Sequence, residues 1–325
     1  MSSENRITGH YAVPPELSGK RLDQAAADLI SEHSRSRLQS WIKSGALTVN
    51  GKKCKPRDKV MLDDQLELDA EPEAQVSWEA EPISLDVVYE DEHLLVINKP
   101  AGLVVHPAAG HAAGTLVNAL LNYAPEVENL PRAGIVHRLD KDTSGIMVVA
   151  RSLVAHTSLV EQLQTRTMGR EYEAVVVGTL TGGATVDAPI GRHPTDRKRM
   201  AVVPNGKPAV THYRLVERFA AHTHIRCKLE SGRTHQIRVH MAHVRHPLVG
   251  DPVYGGRLRL PKGTSDELRD VLAAFHRQAL HAQQLTLEHP ETGEILSWEA
   301  PLPEDMVKLI EALRKHAKEL EQSAY

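Results

Sequence analysis

Apolar residues follow two different rhythms along the chain. Near the N-terminus, Leu22, Ala25, Ala26 and Leu29 recur at the spacing of a helical face. A second short helix is predicted from Ser34 or Ser36, with Leu38, Trp41 and Ile42 on one side and Gly45 just past its end. Leu47-Thr-Val49 reads as a strand entering a type I′ turn at Asn50-Gly51, and Val60 to Leu68 alternates as another strand. Farther on, strand-like runs dominate: Leu94–Ile97, Ile146–Ala150, Tyr172–Val177 and Ile225–Leu229. Helical patterns over 116–121, 153–163 and 234–244 are interspersed, and Leu285–Leu287 with Ile295–Trp298 predicts a late hairpin. Met306, Leu309, Ile310, Leu313 and Ala317 form one stripe on a closing helix, the pattern of core packing. Strands and helices do not alternate regularly, so the expected class is α+β with a mixed sheet, not a doubly wound one.

With 325 residues, 41% of them hydrophobic, the chain can bury two domains. Asp69–Glu73 and Glu79–Pro82 are acidic and proline-bearing, as linkers are. The expected division is a flexible arm over 1–17, an α+β module over 18–69, a linker over 70–82 and a larger domain over 83–325. No apolar run approaches the ~18 residues of a membrane span, and the polar N-terminus lacks a secretory stretch. Cys54 and Cys227 belong to no C-x-x-C and suit a reducing compartment, so a cytoplasmic protein is expected.

A net charge of −3 argues against a polyanionic partner until its distribution is considered. Residues 20–59 hold 10 Lys/Arg against 4 Asp/Glu, residues 62–92 hold 12 acids and no Lys or Arg, and residues 192–245 hold 12 basic against 3 acidic side chains. Charge runs are usually solvated faces. Two basic blocks separated by an acidic one instead fit local phosphate contacts. Arg192-His-Pro-Thr-Asp-Arg-Lys-Arg199 reads as an exposed basic arm.

The densest polar cluster is Gly134-Ile-Val-His-Arg-Leu-Asp-Lys-Asp-Thr-Ser-Gly145, a loop between apolar segments. Asp140 and Asp142 are two apart, so in extended chain they face opposite ways and cannot act as a carboxylate pair. Asp142, followed by Thr143-Ser-Gly145, reads as a turn-former capping its own backbone. A lone loop acid is more often structural than catalytic. His235, His240, His243 and His246 invite a metal reading, but neither an H-E-x-x-H nor a thiolate partner accompanies them.

His137-Arg-Leu-Asp-Lys-Asp-Thr-Ser-Gly145 resembles the H-R-L-D-x-x-T-S-G signature of the RluA-type pseudouridine synthases. Val96–Pro107 resembles the first motif of that family, Arg170-Glu-Tyr-Glu-Ala174 the segment bearing an active-site tyrosine, and Gly232–His240 the third motif. The N-terminal module is similar to the S4-type RNA-binding domain through Arg21-Leu-Asp23, Ser34-Arg-Ser-Arg37 and Val49-Asn-Gly51. His193–Thr195, Gly206–Tyr213 and His246–Gly256 narrow the likeness to members that modify large-subunit ribosomal RNA.

The resemblance implies a mainly antiparallel mixed sheet and the isomerisation of uridines in 23S rRNA or the large-subunit precursor, at the intersubunit-bridge stem-loop. It implies Asp140 as the catalytic carboxylate, attacking the nucleoside or removing a ribose proton. Arg238 keeps it ionised where desolvation opposes charge. Tyr172 serves as the base at carbon 5, directly or through water, and stacks on the flipped uracil. Arg138 fills the space of the flipped nucleotide or holds its phosphate, His137 and Lys141 each contact phosphate or simply shape the loop, and Arg233 and Ile237 complete the substrate contacts. Arg35, Arg37, Lys43 and Lys52 in the module, and Arg192, Arg197, Lys198 and Arg199 in the arm, are expected to bind RNA. The reaction only moves a glycosidic bond, so no cofactor or metal is required. A monomer with no obligatory protein partner is expected. The alternative is a non-catalytic RNA-binding ribosome-assembly factor, which leaves the Asp140 motif without purpose.

Overall fold

The structure, a computed structural model, describes residues 6–31, 33, 35–70, 78–107, 113–196, 198–258, 260–261 and 263–323. The chain divides into two units between residues 77 and 78. In the first, β1 (Ile7–Ala12), α1 (Leu22–Leu29), α2 (Arg35–Ser44), β2 (Leu47–Val49) and β3 (Gln65–Ala70) form a three-stranded antiparallel sheet, in the order β1-β3-β2, with two helices. The two predicted helical faces bury Leu22, Ala25, Ala26, Leu38, Trp41 and Ile42 with Leu47, Val49, Leu66 and Leu68 of the sheet. Asp23 is sealed between the helices and accepts from Arg21, Arg35 and Gln39. Burial pushes its pKa upward, but the hydrogen bonds from Arg35, Arg21 and Gln39 outweigh that and hold it well below the carboxylate range.

Three expectations need correction here. Residues 7–17 are no flexible arm: β1 pairs with β3 along its whole length, and Val13 and Leu17 are buried in the core. The alternation of Ile7, Gly9 and Tyr11 carried that strand, but with only one strong β-former at each end it reads weakly. Asn50 and Gly51 do take the left-handed conformations of a type I′ turn. The chain nevertheless loops out afterwards, because Asp63 is also left-handed and the Asp64 carboxylate accepts Met61 N–H at 2.7 Å; the strand begins only at Gln65. Of the expected linker, residues 71–77 lie outside the described set. Trp78 packs on the core of the second unit, and Asn118 bonds the backbone of Glu79 and Glu81, so 78–82 belong to that unit.

The second unit is built on β4 (Val87–Glu90), β5 (Leu94–Lys99), α3 (Leu116–Tyr123), β6 (Ser144–Ala150), α4 (Leu153–Gln164), β7 (Gly169–Val177), β8 (Ala184–Asp187), β9 (Ile190–Arg192), β10 (Met200–Val202), β11 (Val210–Arg218), β12 (His222–Leu229), α5 (Gln236–His243), α6 (Asp266–Ala274), β13 (Leu280–Glu288), β14 (Ile295–Glu299) and α7 (Glu304–Ser323). Its main sheet runs β4-β5-β6-β13-β7-β12-β11-β8, with β14 also on β13. All its pairings are antiparallel except β6 with β13. The two-residue period sorts side chains cleanly. Leu95, Ile97, Met147, Val149, Tyr172, Ala174 and Cys227 face α3 and α5, whereas Leu94, Val96, Ile146 and Val148 face α4. Val175 and Ala279 meet α6 and the predicted stripe of α7.

β13 pairs with β6 only at Ser144 and Gly145, and the loop before β6 occupies the strand edge left open beyond them. Ile135 bridges Val149, and His137 Nε2 accepts Val148 N–H at 3.1 Å. His137 therefore shapes the loop, the second of the two uses considered for it. Gly145, at φ 120°, lies so close to β13 that a Cβ would sit 2.2 Å from the Ala282 carbonyl oxygen.

Gly145→Ala is therefore expected to cost about 3 kcal/mol or more, read as a lowered urea midpoint; an unchanged midpoint would contradict this account. Burial drives the His137 pKa from 6.5 down to about 3, so the folded state holds a neutral ring while the unfolded chain takes up a proton. Stability is complete above pH 6.5 and falls as pH drops from 6.5 towards 3. His137→Gln, which still offers an acceptor to Val148 but does not titrate, is expected to flatten that acid limb in urea titrations between pH 7 and pH 4.

Candidate active site

Asp140 stands where the loop turns into β6. Thr143 N–H closes the turn on the Asp140 carbonyl at 3.1 Å, so it is this carbonyl, and not the Asp142 carboxylate, that caps it. Three side chains fix the turn from outside. Lys99 Nζ, buried at the end of β5, donates to the carbonyls of Pro100, Leu103 and Lys141 at 2.8–3.0 Å. Burial pulls its pKa down to about 8 against the pull of Asp142 and Asp140, leaving it charged at neutral pH. Arg277 donates to the Asp142 carbonyl and Gln278 to the Thr143 hydroxyl.

Opposite this turn, α5 starts from a clamp made by Gln236. Its amide oxygen accepts from Ser231 Oγ and Arg233 N–H, and its amide nitrogen donates to the Val210 carbonyl and Thr211 Oγ1. Farther along the same first turn, Arg238 reaches back to Asp140, donating to Oδ2 at 2.9 Å. Its remaining fork grips Asp251 in a bidentate pair, Nε to Oδ2 at 2.7 Å and the second terminal nitrogen to Oδ1 at 3.0 Å. The Arg238 and Asp251 side chains are 5% and 0% exposed, the Asp140 side chain 19%. Burial opposes the Arg238 charge, but Asp251 and Asp140 outweigh it and raise the pKa. Asp251 is itself held by Val253 and Tyr254 N–H groups, and the Tyr254 ring lies 5.1 Å from the guanidinium.

These groups open on a cavity of about 590 Å³ lined by Asp140, Tyr172, Arg138, Arg233, Ile237, Arg238 and His137. Arg132, Arg166 and Arg170 add to its wall, giving six arginines against the carboxylates of Asp140 and Glu230. Tyr172 projects from the sheet and is nearly buried, which pushes its phenol pKa up. Lys141 is the exception among the expected substrate contacts: its side chain is exposed and outside the cavity lining, and the turn uses its carbonyl instead.

Arg192, Lys198 and Arg199 sit on a hairpin formed by β9 and β10, with Arg199 over the Tyr254 ring at 5.4 Å; Arg197 lies outside the described residues. In the first unit Lys43 and Lys52 are exposed, Arg35 ties α2 to Asp23, and Arg37 lies 5.2 Å over Trp41. Two of the four histidines considered as ligands are engaged in hydrogen bonds with the protein itself. His240 is bonded by Thr211 and the Ala188 carbonyl, and His246 by the Val177 carbonyl. Among the described residues no group of three His, Cys, Asp or Glu side chains is placed to hold a metal ion. No described helix is long and apolar enough to cross a membrane.

Sequence reading missed Asp251, Lys99 and the arginines at 132 and 166, and weighed His235 only as a metal ligand. Two carried a signal. Lys99 is a charge ending an otherwise apolar strand, and Asp251 follows Pro-Leu-Val-Gly, an acid entering a buried turn.

Comparison with known proteins agrees with this geometry. Residues 93–243 match the RNA pseudouridylate synthase family and residues 20–66 the S4 domain. The chain is 63% identical over 303 residues to ribosomal large subunit pseudouridine synthase D of Pseudomonas aeruginosa, covering 93% of this chain and 95% of that one. It is 57% identical over 302 residues to the protein of the same name in Escherichia coli K12, covering 93% of each. The solved human RNA pseudouridylate synthase domain containing 4 superposes with a TM-score of 0.57 at 28% identity, covering 70% of this chain and 93% of that one. Identity of this order through more than nine-tenths of both chains leaves no room for another lineage: the chain belongs to the RluA-type RNA pseudouridine synthases.

Proposed function

We propose that this pseudouridine synthase isomerises uridines of 23S ribosomal RNA, in the stem-loop at the intersubunit bridge, with Asp140 as its catalytic carboxylate. The observation that carries the reading is the Asp140–Arg238–Asp251 chain at the wall of an arginine-lined cavity that also contains Tyr172. The reaction breaks the bond between ribose C1′ and uracil N1, joins C1′ to C5, and moves the C5 proton to N1. Substrate and product have the same composition, so the chemistry calls for no cofactor. Asp140 Oδ2 is engaged by Arg238, which leaves Oδ1 to attack C1′ or to take a proton from C2′. Arg238 supplies a countercharge that cannot swing away, because Asp251 grips it from behind.

Tyr172 is the plate on which the flipped uracil stacks. Burial raises its pKa and keeps the phenol neutral, which suits this stacking role. Arg138, exposed at the rim, takes the space of the flipped nucleotide or its phosphate, with Arg233 and Ile237 inside. Six arginines facing the cavity suit a polyanion. The relatives are named for the ribosomal large subunit, and the basic residues of the S4 unit and of the β9–β10 hairpin fit the same substrate. The enzyme acts in the cytoplasm, as a monomer.

Pseudouridine mapping of rRNA from a deletion strain tests this. The stem-loop is expected to lose its pseudouridines, to regain them with the wild-type gene, and to stay unmodified with Asp140→Asn, although that variant binds the stem-loop within about threefold of wild type. An unaltered stem-loop in the deletion strain, or full restoration by the Asn variant, overturns the proposal. Asp251→Asn loosens the guanidinium without touching the nucleotide. It is expected to lower kcat about 10–100-fold with little change in KM, measured on a stem-loop transcript.

A further inference from the structure

His235 lines the cavity, yet none of the roles above uses it. Its backbone is left-handed, at φ 57°, which costs a residue with a Cβ about 1 kcal/mol or more. It occupies the N-cap of α5 without making a side-chain capping bond, so the strained conformation aims the ring elsewhere. The ring stands edge-on to Tyr254, with Nδ1 2.8 Å from the phenolic oxygen. That oxygen also accepts Met200 N–H at 2.9 Å, and with its own proton directed at Nδ1 the ring proton sits on Nε2.

Nε2 faces Asp140 Oδ1 across 3.8 Å. An N–H suits that position, since a lone pair there would confront the carboxylate. The separation is too long for a direct hydrogen bond, and Oδ1 is the oxygen that Arg238 leaves open. The two groups flank a point. Whichever ribose carbon Oδ1 works on, C1′ or C2′, the 2′-hydroxyl lies within two bonds of it.

We propose that His235 is a further catalytic residue, whose Nε2–H donates to the 2′-hydroxyl of the flipped uridine while Asp140 Oδ1 acts on the adjoining ribose carbon. The contact also gives the site a means of telling ribose from deoxyribose. This rests on the reading of Asp140 as the catalytic carboxylate, and the test separates the two.

Single-turnover rates are measured on stem-loop transcripts carrying uridine or 2′-deoxyuridine at the target position. His235→Asn is the variant of choice, because asparagine tolerates the left-handed backbone. It is expected to slow the uridine substrate about 10–100-fold with RNA affinity within about threefold. Wild type is expected to lose a similar factor on 2′-deoxyuridine, and the variant to lose no more than about threefold further. A full rate for the variant on uridine, or losses that multiply independently, overturns the proposal. Should His235→Asn lose its thermal unfolding transition, Tyr254→Phe carries the test, since it keeps a ring beside Arg238 while releasing the ring tautomer along with the Met200 N–H contact. It is expected to lose about 3–10-fold on uridine and less on 2′-deoxyuridine, and an unchanged rate on uridine overturns the proposal. Asp140→Asn is run alongside. Activity in that variant sinks the earlier reading, whereas multiplying losses with an inert Asp140→Asn control sink only the role of His235.

Discussion

A guanidinium almost sealed from water is the constraint on which the catalytic unit depends. Removed from solvent, one positive charge requires compensation several times stronger than at a surface, and it must come from groups that cannot drift away. Arg238 finds it in two carboxylates on opposite sides of its fork. Asp251 is the structural half: fully buried, bidentate, fixed by two backbone N–H groups. Asp140 is the half with an oxygen to spare. The asymmetry has a consequence, because a carboxylate facing a cavity is restrained by a neighbour that is itself restrained, and so little freedom to reorganise is left to it.

The fold supplies these three residues from two stretches of chain nearly a hundred residues apart. Asp140 comes from the turn into β6, Arg238 from the first turn of α5, and Asp251 from the loop beyond that helix. Each is anchored by main-chain contacts of its own: Lys99 on the carbonyls of the turn, Gln236 on the start of α5, Val253 and Tyr254 on Asp251. The sheet beneath places Tyr172 on the same face by simple alternation along β7.

Much of this was legible in the sequence, and what was not has physical causes. Periodicity located α1, α2, α3, α4, α5 and α7 and the central strands, because each buries one continuous face. It failed for β1, whose few apolar residues gain their meaning only beside β3, and for residues 78–82, whose acidic composition hides a docked Trp78. The resemblance of Gly232–His240 to the family's third motif named Arg238 as the partner of Asp140, but the second carboxylate and His235 approach it across distances that spacing along the chain does not reveal. At Lys141 the sequence drew attention to a basic side chain, whereas the contact that holds the turn is made by its backbone carbonyl, which no side-chain pattern announces.

The parallel junction between β6 and β13 sets an order of events at the ribosome that makes this protein. His281 and Ala282 seat Ser144 and Gly145 at the end of the turn that carries Asp140, so residues well over a hundred positions apart must meet before that turn has its floor. Contacts of such span close late. During synthesis the first unit can fold as soon as it emerges, whereas the second stays incomplete until most of its length has been translated. A nascent chain therefore has its S4 fold before it has a working centre.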